Sequence, residues 1–263
     1  MAEKQSADEI FTGIRRFRAM LKAGETIIAT SVTFNDPLVT DALADSVDLL
    51  WYDLEHTQQD PATLNAHLAI ARGRGKGTVV RVGSVHPSVI KPVLDAGADG
   101  IVAAQIRTVA EVEELITNCK YPPMGTRGVA PRVPSNYDRI GLDYFSVANE
   151  NIFTSVMIET AEALEAIDKI VQVPNLDSVV IGPFDLSGAL GDLGNLESPV
   201  IQEGCDRIVA AAHSAGIYVG CGMGGSAQFA RSMAARGVDW LQVGSDYSHL
   251  LQRMDELVAE IKA

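Results

Sequence analysis

The stretch Asp48-Leu-Leu-Trp-Tyr-Asp-Leu-Glu-His56 is an apolar run that ends in three ionisable side chains, Asp53, Glu55 and His56. A short apolar run of this kind is typical of a buried β-strand. The segment that follows, from Asp60-Pro61 to Arg72, begins with an aspartate suited to cap a helix and a proline suited to its first position. The two segments predict one strand followed by one helix. The charged strand end is either solvated surface or one side of a polar site.

The same strand-then-helix unit recurs along the chain. Predicted strands lie at 26–33, 48–54, 78–82, 100–106, 152–158, 178–181, 217–221 and 240–243. Predicted helices follow at 36–44, 61–72, 87–94, 108–119, 161–173, 199–214, 226–236 and 247–262, and an amphipathic helix at 6–22 precedes them all. The strands are short, β-branched and apolar, as strands covered on both faces must be.

Eight such units in a single domain, 1–263, predict a (β/α)8 barrel with an extra N-terminal helix. An open, doubly wound sheet is the alternative. It usually has fewer strands and would carry a glycine fingerprint after the first of them, which this sequence lacks.

Composition is that of an ordinary globular protein, with 47% hydrophobic and 21% charged residues. The net charge of −13 disfavours nucleic acid and anionic membranes as partners. The sequence has no apolar run of about 18 residues and no signal-peptide core at its start. Cys119, Cys205 and Cys221 form no Cys-x-x-Cys pair, so we expect reduced thiols in a cytoplasmic protein.

Residues 121–151 form one long connection that is rich in proline, glycine and arginine, with a short helix expected at 142–149. Connections of this length are uncommon in compact domains unless they are functional or pack on a neighbour. Because the segment precedes a strand, it lies at the N-terminal face of the predicted barrel. We therefore expect it to serve in packing or subunit contact.

Catalytic residues of such barrels collect at the carboxyl ends of the strands. Arg81 lies within the third predicted strand, Glu159 ends the fifth and Asp185 follows the sixth. Two neighbouring carboxylates without His or Cys partners suit a hard cation such as Mg²⁺ or Mn²⁺, although Asp185 could instead cap the turn that follows. A buried guanidinium needs an anion, so Arg81 either pairs with Asp53 or Glu55 or awaits a substrate carboxylate.

His56 is the histidine that follows a strand at this rim. The other histidines fall on helices or helix starts, where a structural role is expected: His67, His86, His213 and His249. Asp95 lies near a predicted helix end, where a carboxylate is unfavourable for the helix dipole. That cost indicates a partner for Asp95, and His56 is a candidate.

Six motifs, taken in chain order, resemble those of the HpcH/HpaI class II pyruvate aldolases. They are Asp53-Leu-Glu-His56, Val80-Arg81, Leu94-Asp95-Ala-Gly97, Tyr121-Pro-Pro-Met-Gly-Thr-Arg-Gly128, Ile158-Glu159-Thr160 and Ile181-Gly-Pro-Phe-Asp-Leu-Ser187. The resemblance covers nearly the whole chain, and the ordered set is specific although each motif is weak. It implies an enzyme that cleaves or forms 4-hydroxy-2-oxo acids from an aldehyde and the enolate of pyruvate or hydroxypyruvate.

The resemblance also implies roles for individual residues. Glu159 and Asp185 would bind the divalent cation, which is Mg, Mn or Co. Arg81 would contact the pyruvate oxygen, and His56 with Asp95 would form the base dyad. The expected partners are therefore a small 2-oxo acid and an aldehyde.

Further roles fall on the loops around this cation. The backbone amides of Phe184 and Asp185 would hold the pyruvate carboxylate. Glu55 would hold waters and pair with Arg81 or with the metal's surroundings. The family commonly has a glutamine two residues before its metal-binding glutamate, where this chain has Met157. That departure removes a polar contact near the substrate.

Other activities remain open at this point. The same enolate chemistry could decarboxylate oxaloacetate or cleave a CoA ester, although the acidic rim offers few basic residues to a nucleotide. A barrel that binds an oxo acid without catalysis is the remote alternative. No lysine ends a predicted strand, which argues against a Schiff-base mechanism. The stretches 222–225 and 244–245 could bind phosphate or only pack tightly.

Quaternary structure is implied by the resemblance alone. It suggests a hexamer built as a trimer of dimers, with the last helix exchanged between partners. The apolar positions of that helix, Leu250, Met254, Leu257 and Ile261, fit an exchanged helix and a docked helix equally well.

Overall fold

A computed structural model describes residues 6–263 as a closed barrel of eight parallel strands. The strands are β1 Ile27–Val32, β2 Leu49–Asp53, β3 Gly77–Val82, β4 Gly100–Ala103, β5 Phe153–Ile158, β6 Ser178–Ile181, β7 Tyr218–Met223 and β8 Trp240–Ser245. Each strand pairs in parallel with the next, and the β1–β8 pairing closes the barrel. The predicted (β/α)8 barrel is confirmed.

Helices surround the barrel and precede it. They are α1 Ala7–Ile10, α2 Thr12–Ala23, α3 Leu38–Leu43, α4 Pro61–Gly73, α5 Pro87–Asp95, α6 Val109–Cys119, α7 Asp143–Asn151, α8 Ala161–Glu165, α9 Ile167–Ile170, α10 Pro183–Ala189, α11 Pro199–Ser214, α12 Ala227–Arg236 and α13 Asp246–Lys262. A turn of 3-10 helix spans Ala44–Ser46. Predicted caps are present, because Asp60 accepts from the Thr63 amide and Ser6 forms a capping box with Glu9.

Three elements differ from their predicted extents. The first helix is broken at Phe11, whose side chain is buried and stacks on Tyr144 with 5.9 Å between ring centroids. The helix expected at 161–173 is two short helices. Strand β4 ends at Ala103 instead of residue 106, since Gln105 adopts a left-handed backbone conformation with φ 56°.

The N-terminal helix α2 packs against the end of the barrel where the strands begin. Phe17 is buried between the first residues of two strands, with ring centroids 5.3 Å from Phe153 and 6.0 Å from Trp240. Arg18 donates two hydrogen bonds, of 2.7 and 3.0 Å, to the carboxylate of Asp177 ahead of β6. This end of the barrel is therefore covered, and the carboxyl ends of the strands form the other end.

The long connection at 121–151 packs on its own chain through aromatic side chains. Tyr121 and Tyr144 are buried, and their rings lie edge to face with Phe145 at 5.0 and 5.3 Å. The expected packing role is confirmed for these residues. Helix α7 corresponds to the short helix that the sequence predicts at 142–149, and it begins one residue later and ends two residues later.

Two expectations from composition concern cysteines and membranes. All three cysteines are buried free thiols, Cys119, Cys205 and Cys221. Within residues 6–263, no helix combines the length and the apolar character that crossing a bilayer requires.

Candidate active site

A cavity of about 720 Å³ opens at the carboxyl ends of the strands. Of the residues predicted to form the site, those that line the cavity are His56, Arg81, Phe184 and Asp185. Glu55 and Glu159 lie next to these residues but are largely buried. The side chain of Glu55 is 12% exposed, and Glu159 as a whole residue is 2% exposed. The glycine stretches after β7 and β8 lie on a wall of the same cavity.

Arg81 and Asp53 form a bidentate ion pair across β2 and β3. Arg81 Nε donates to Asp53 Oδ1 at 2.9 Å and Nη2 donates to Oδ2 at 2.6 Å. The two residues are register partners, so the barrel itself places their side chains together. Burial alone would raise the pKa of Asp53, but the guanidinium outweighs it and the pKa is lowered. Asp53 therefore makes the two hydrogen bonds to Arg81, and Glu55 lies within ion-pair distance of the same guanidinium.

The third guanidinium nitrogen faces a weaker acceptor. Arg81 Nη1 lies 4.0 Å from the thioether sulfur of Met157, which is 3% exposed and lines the cavity. A thioether is a weak hydrogen-bond acceptor. Nη1 is therefore the nitrogen of Arg81 best placed to donate to an oxygen of a bound molecule.

Glu55 links Arg81 to His56. Its Oε2 lies 3.3 Å from Arg81 Nε and 3.6 Å from His56 Nε2. That oxygen is buried and accepts no hydrogen bond from the described residues. Burial raises the pKa of Glu55, although the charges of Arg81 and His56 act in the opposite direction. The His56 side chain is 63% exposed, so it reaches into the open part of the cavity.

Glu159 is the most deeply buried carboxylate at this rim. Its Oε1 accepts hydrogen bonds from the Gln105 backbone amide at 2.8 Å and the Gln105 side chain at 3.1 Å. Its Oε2 lies over Gly182, where an added Cβ would come within 2.4 Å. Burial raises the pKa of Glu159 to about 7, the Gln105 amide acts against this shift, and the charges of Asp185 and Glu55 add to it.

Asp185 stands in the first turn of α10, a helix that the sequence prediction did not include. Pro183 occupies the first helical position, and the first intrahelical bond of the helix is donated by the Leu186 amide. The backbone N–H groups of Phe184 and Asp185 precede that bond at a helix N-terminus, where anions are favoured. The prediction that these two amides bind a carboxylate is compatible with their position.

The structure does not bring Asp95 to His56, so the predicted dyad is wrong within this chain. Asp95 is the last residue of α5, and a helix of the barrel ends at the face where strands begin. There its Oδ1 accepts a hydrogen bond from Arg127 Nη2 at 2.6 Å. Arg127, which comes from the long connection, offsets the cost of placing the Asp95 carboxylate at a helix end. The carboxylate beside His56 is that of Glu55.

Sequence reasoning missed Gln105 and the role of Asp246. Gln105 lies two residues after the end of β4, so reading every strand end for polar side chains would have found it. Asp246 is buried and accepts hydrogen bonds from the backbone amides of Thr33 and Phe34 at 2.7 and 2.9 Å. It holds the loop after β1 against the start of α13.

Comparison with known proteins places the chain in a family. The profile of the HpcH/HpaI aldolase/citrate lyase family matches residues 31–252. The chain belongs to this family. It is therefore an aldolase-type enzyme that acts on carbon–carbon bonds.

Two curated relatives share about a third of the sequence over most of its length. The hydroxypyruvate/pyruvate aldolase of Roseovarius nubinhibens is 31% identical over 247 residues, which are 93% of this chain and 95% of the relative. The 5-keto-4-deoxy-D-glucarate aldolase of Shigella dysenteriae is 32% identical over 232 residues, which are 88% of this chain and 90% of the relative.

A solved structure of the family has the same fold. The crystal structure of an HpcH/HpaI aldolase from Desulfitobacterium hafniense superposes with a TM-score of 0.88 at 27% identity and covers 93% of this chain and 96% of its own. In residues 6–263 of the present chain, no three His, Cys, Asp or Glu side chains group as candidate metal ligands. A cation bound by the described residues would therefore have fewer than three such side chains as ligands.

The raised pKa of Glu159 gives a prediction for the stability of the metal-free protein. Between pH 4.5 and about 7 the folded state retains a proton that the unfolded state loses, so stability falls as the pH rises through this window. Glu159→Gln removes the titration and should raise the free energy of unfolding by about 2–3 kcal/mol at pH 8 and by little at pH 5.

Thermal and urea unfolding in EDTA at the two pH values would measure this difference. Glu165→Gln, a change at an exposed carboxylate on α8, is the matched control and should show no pH-dependent gain. An equal effect of Glu159→Gln at pH 5 and pH 8 would contradict the assigned pKa.

Proposed function

We propose that the chain is a class II aldolase, which uses a divalent cation to form or cleave 4-hydroxy-2-oxo acids. Its donor would be pyruvate or hydroxypyruvate, the compounds for which the Roseovarius relative is named. The observation that carries the proposal is the position of Glu159 directly after β5 and of Asp185 in the helix that follows β6. Arg81 lines the same cavity, and its Nη1 lies 4.0 Å from the Met157 thioether.

The chemistry of the carboxylates fits a divalent cation. Glu159 is 2% exposed, and its pKa is raised by burial and by the charges of Asp185 and Glu55. Asp185 is exposed to solvent, and two neighbouring carboxylates that repel each other are stabilised by a bound cation. Oxygen donors without imidazole or thiolate suit Mg²⁺ or Mn²⁺, and Co²⁺ is the further candidate. When bound, the cation would act as a Lewis acid on the 2-oxo group of the donor.

Arg81 and the start of α10 would bind and orient the donor. Arg81 is held rigidly by Asp53, so its Nη1 is preorganised to donate to the oxygen on which negative charge develops. The backbone amides of Phe184 and Asp185 would bind the donor's carboxylate, since they stand at a helix N-terminus. The two contacts would fix both ends of a small 2-oxo acid.

His56 would transfer the proton at C3 of the donor. Its Nε2 faces Glu55 at 3.6 Å, so Nδ1 is the nitrogen left to face a substrate in the cavity. Once the ring takes up a proton, the carboxylate of Glu55 stabilises the positive charge. Glu55 thus takes over the orienting role that the sequence prediction gave to Asp95.

Assembly and location form a separate part of the proposal. We infer a cytoplasmic homo-oligomer, a hexamer arranged as a trimer of dimers. Support comes from exposed apolar side chains along α13, where Leu250, Leu251, Met254 and Ile261 are 62%, 59%, 59% and 81% exposed. Large apolar residues clustered on one helix typically mark a protein contact.

The oligomeric state can be measured by light scattering on the purified chain. We expect a mass near six chains, and replacing Leu250 and Met254 by Glu should shift it toward smaller species, because charge in an apolar contact is costly. A monomeric wild-type protein would contradict the inferred assembly without bearing on the chemistry.

Metal removal tests the proposed function directly. EDTA-treated enzyme should lose aldol cleavage and addition, and Mg²⁺, Mn²⁺ or Co²⁺ should restore them. Calorimetric titration of the same cation should show binding to the wild type and its loss in Glu159→Gln and Asp185→Asn, because each removes one of two anionic ligands. Full activity of the stripped enzyme would refute a metal-dependent mechanism.

The proposed base gives a second test. His56→Ala should lower kcat by about 10²–10⁴-fold while cation binding stays intact, since general base catalysis typically contributes this much. His86→Ala is the matched control, because His86 is exposed and caps α5 away from the cavity lining. Unchanged kcat in His56→Ala, with the fold retained, would remove His56 from the mechanism.

A further inference from the structure

A second cavity lies beside the first at the same end of the barrel. It has a volume of about 680 Å³ and lies between the connection after α10 and the first turns of α12. Pro183, Phe184, Gly224 and Gly225 line both cavities. The two spaces therefore share one wall, and that wall begins one residue from Asp185.

On one side, the wall between the two cavities is formed by glycines, which carry no side chains. A Cβ built on Gly224 would meet nothing within 4 Å, and one on Gly225 would meet only the Gln252 side chain at 3.8 Å. On the other side stands Phe184, which is 54% exposed and offers an apolar edge to both cavities. A molecule that fills the first cavity can extend across this wall without passing a bulky side chain at the glycines.

The second cavity has a mixed apolar and polar lining, and none of its described lining residues carries a positive charge. Its polar lining comes from Asn195, Glu197, Gln202, Ser226, Gln228 and Ser232. Glu197 is the charged group among the described lining residues, and it is exposed. Asn195 and Gln202 already donate to Asp192 and to the Leu196 carbonyl, but side-chain oxygens can accept further hydrogen bonds, which suits the hydroxyl groups of a ligand. A carboxylate would meet the charge of Glu197 instead of a cation.

A cation behind the lining does not alter this charge balance. Arg236 donates to the Gln202 side-chain oxygen but does not itself line the cavity. Its Nε pairs with Asp206 at 2.9 Å. Its charge is therefore already neutralised on the side away from the cavity.

We propose that this second cavity binds the tail of the acceptor aldehyde and selects neutral, hydroxylated aldehydes over acidic semialdehydes. The inference rests on the proposed function, because that function places the donor between Arg81 and Asp185 in the first cavity. The carbonyl carbon of the aldehyde must reach the donor there. The remaining carbons extend over the shared wall, and their hydroxyl groups find the amides and hydroxyls of the second cavity.

The test compares three acceptor aldehydes with pyruvate as the donor. Glycolaldehyde is too short to cross the wall. Erythrose and succinic semialdehyde have the same number of carbons as each other, but only succinic semialdehyde carries a carboxylate. In the wild type, kcat/KM should be about tenfold or more higher for erythrose than for succinic semialdehyde, as expected of a pocket that pairs hydroxyl groups. Glu197→Gln should narrow that ratio, since it removes the repulsion of the acid.

Ser232→Trp probes the space itself by filling it from α12. It should lower the ratio of kcat/KM for erythrose to that for glycolaldehyde by about tenfold, the scale of an excluded group in a binding pocket. Arg231→Trp is the matched control, because Arg231 is exposed on the same helix but does not line the cavity. Its ratio should match that of the wild type.

Three other outcomes would each contradict one part of this proposal. If Ser232→Trp leaves the acceptor ratio unchanged while glycolaldehyde is turned over normally, the second cavity does not bind the tail. A wild type that prefers succinic semialdehyde contradicts the proposed selectivity. A wild type that condenses pyruvate with none of the three aldehydes refutes the proposed function, and the inference falls with it.

Discussion

Closure of eight parallel strands into one barrel is the constraint on which the rest of the structure depends. Every strand hydrogen-bonds to two neighbours, so all of the carboxyl ends must meet at one rim. The opposite end is covered by α2, with Phe17 packed against Phe153 and Trp240. Polar side chains that follow a strand have therefore only one place to gather. The site is a consequence of this geometry before any chemistry is considered.

Charge is the second organising factor, because carboxylates outnumber cations at the rim. Asp53 is neutralised by its two hydrogen bonds with Arg81, and Glu55 shares the same guanidinium at 3.3 Å. Among residues 6–263 no cationic side chain forms an ion pair with Glu159 or Asp185, and burial with mutual repulsion raises the pKa of Glu159 to about 7. An enzyme that must stabilise negative charge on a substrate gains from a cation at this point.

The sequence predicted site residues correctly where the local pattern and the barrel topology agree. Asp53 and Arg81 lie on adjacent strands, so the sequence could name Asp53 as one of the candidate partners of Arg81. It failed for Asp95, which a motif placed near His56 although α5 ends at the opposite face. No local pattern signals the hydrogen bond from Arg127, because Arg127 comes from a connection 32 residues further along the chain.

The left-handed turn at Gln105 and the short helix α10 were missed for a similar reason. Both are stabilised by partners distant in sequence: the Gln105 amide by Glu159 and α10 by its packing on α11 and β7. Propensity carries little information about a residue with positive φ that is not glycine.

The sequence by itself determined the alternation of apolar strands and amphipathic helices, the barrel that this alternation requires, and the identity of the charged strand ends. These depend on periodicity and on residue type, which are local properties. Only the tertiary structure decided that Asp53 holds Arg81, that within one chain Glu55 and not Asp95 stands beside His56, and that a second cavity adjoins the first. Those facts depend on distances between segments far apart in the chain, which only packing of the closed barrel fixes.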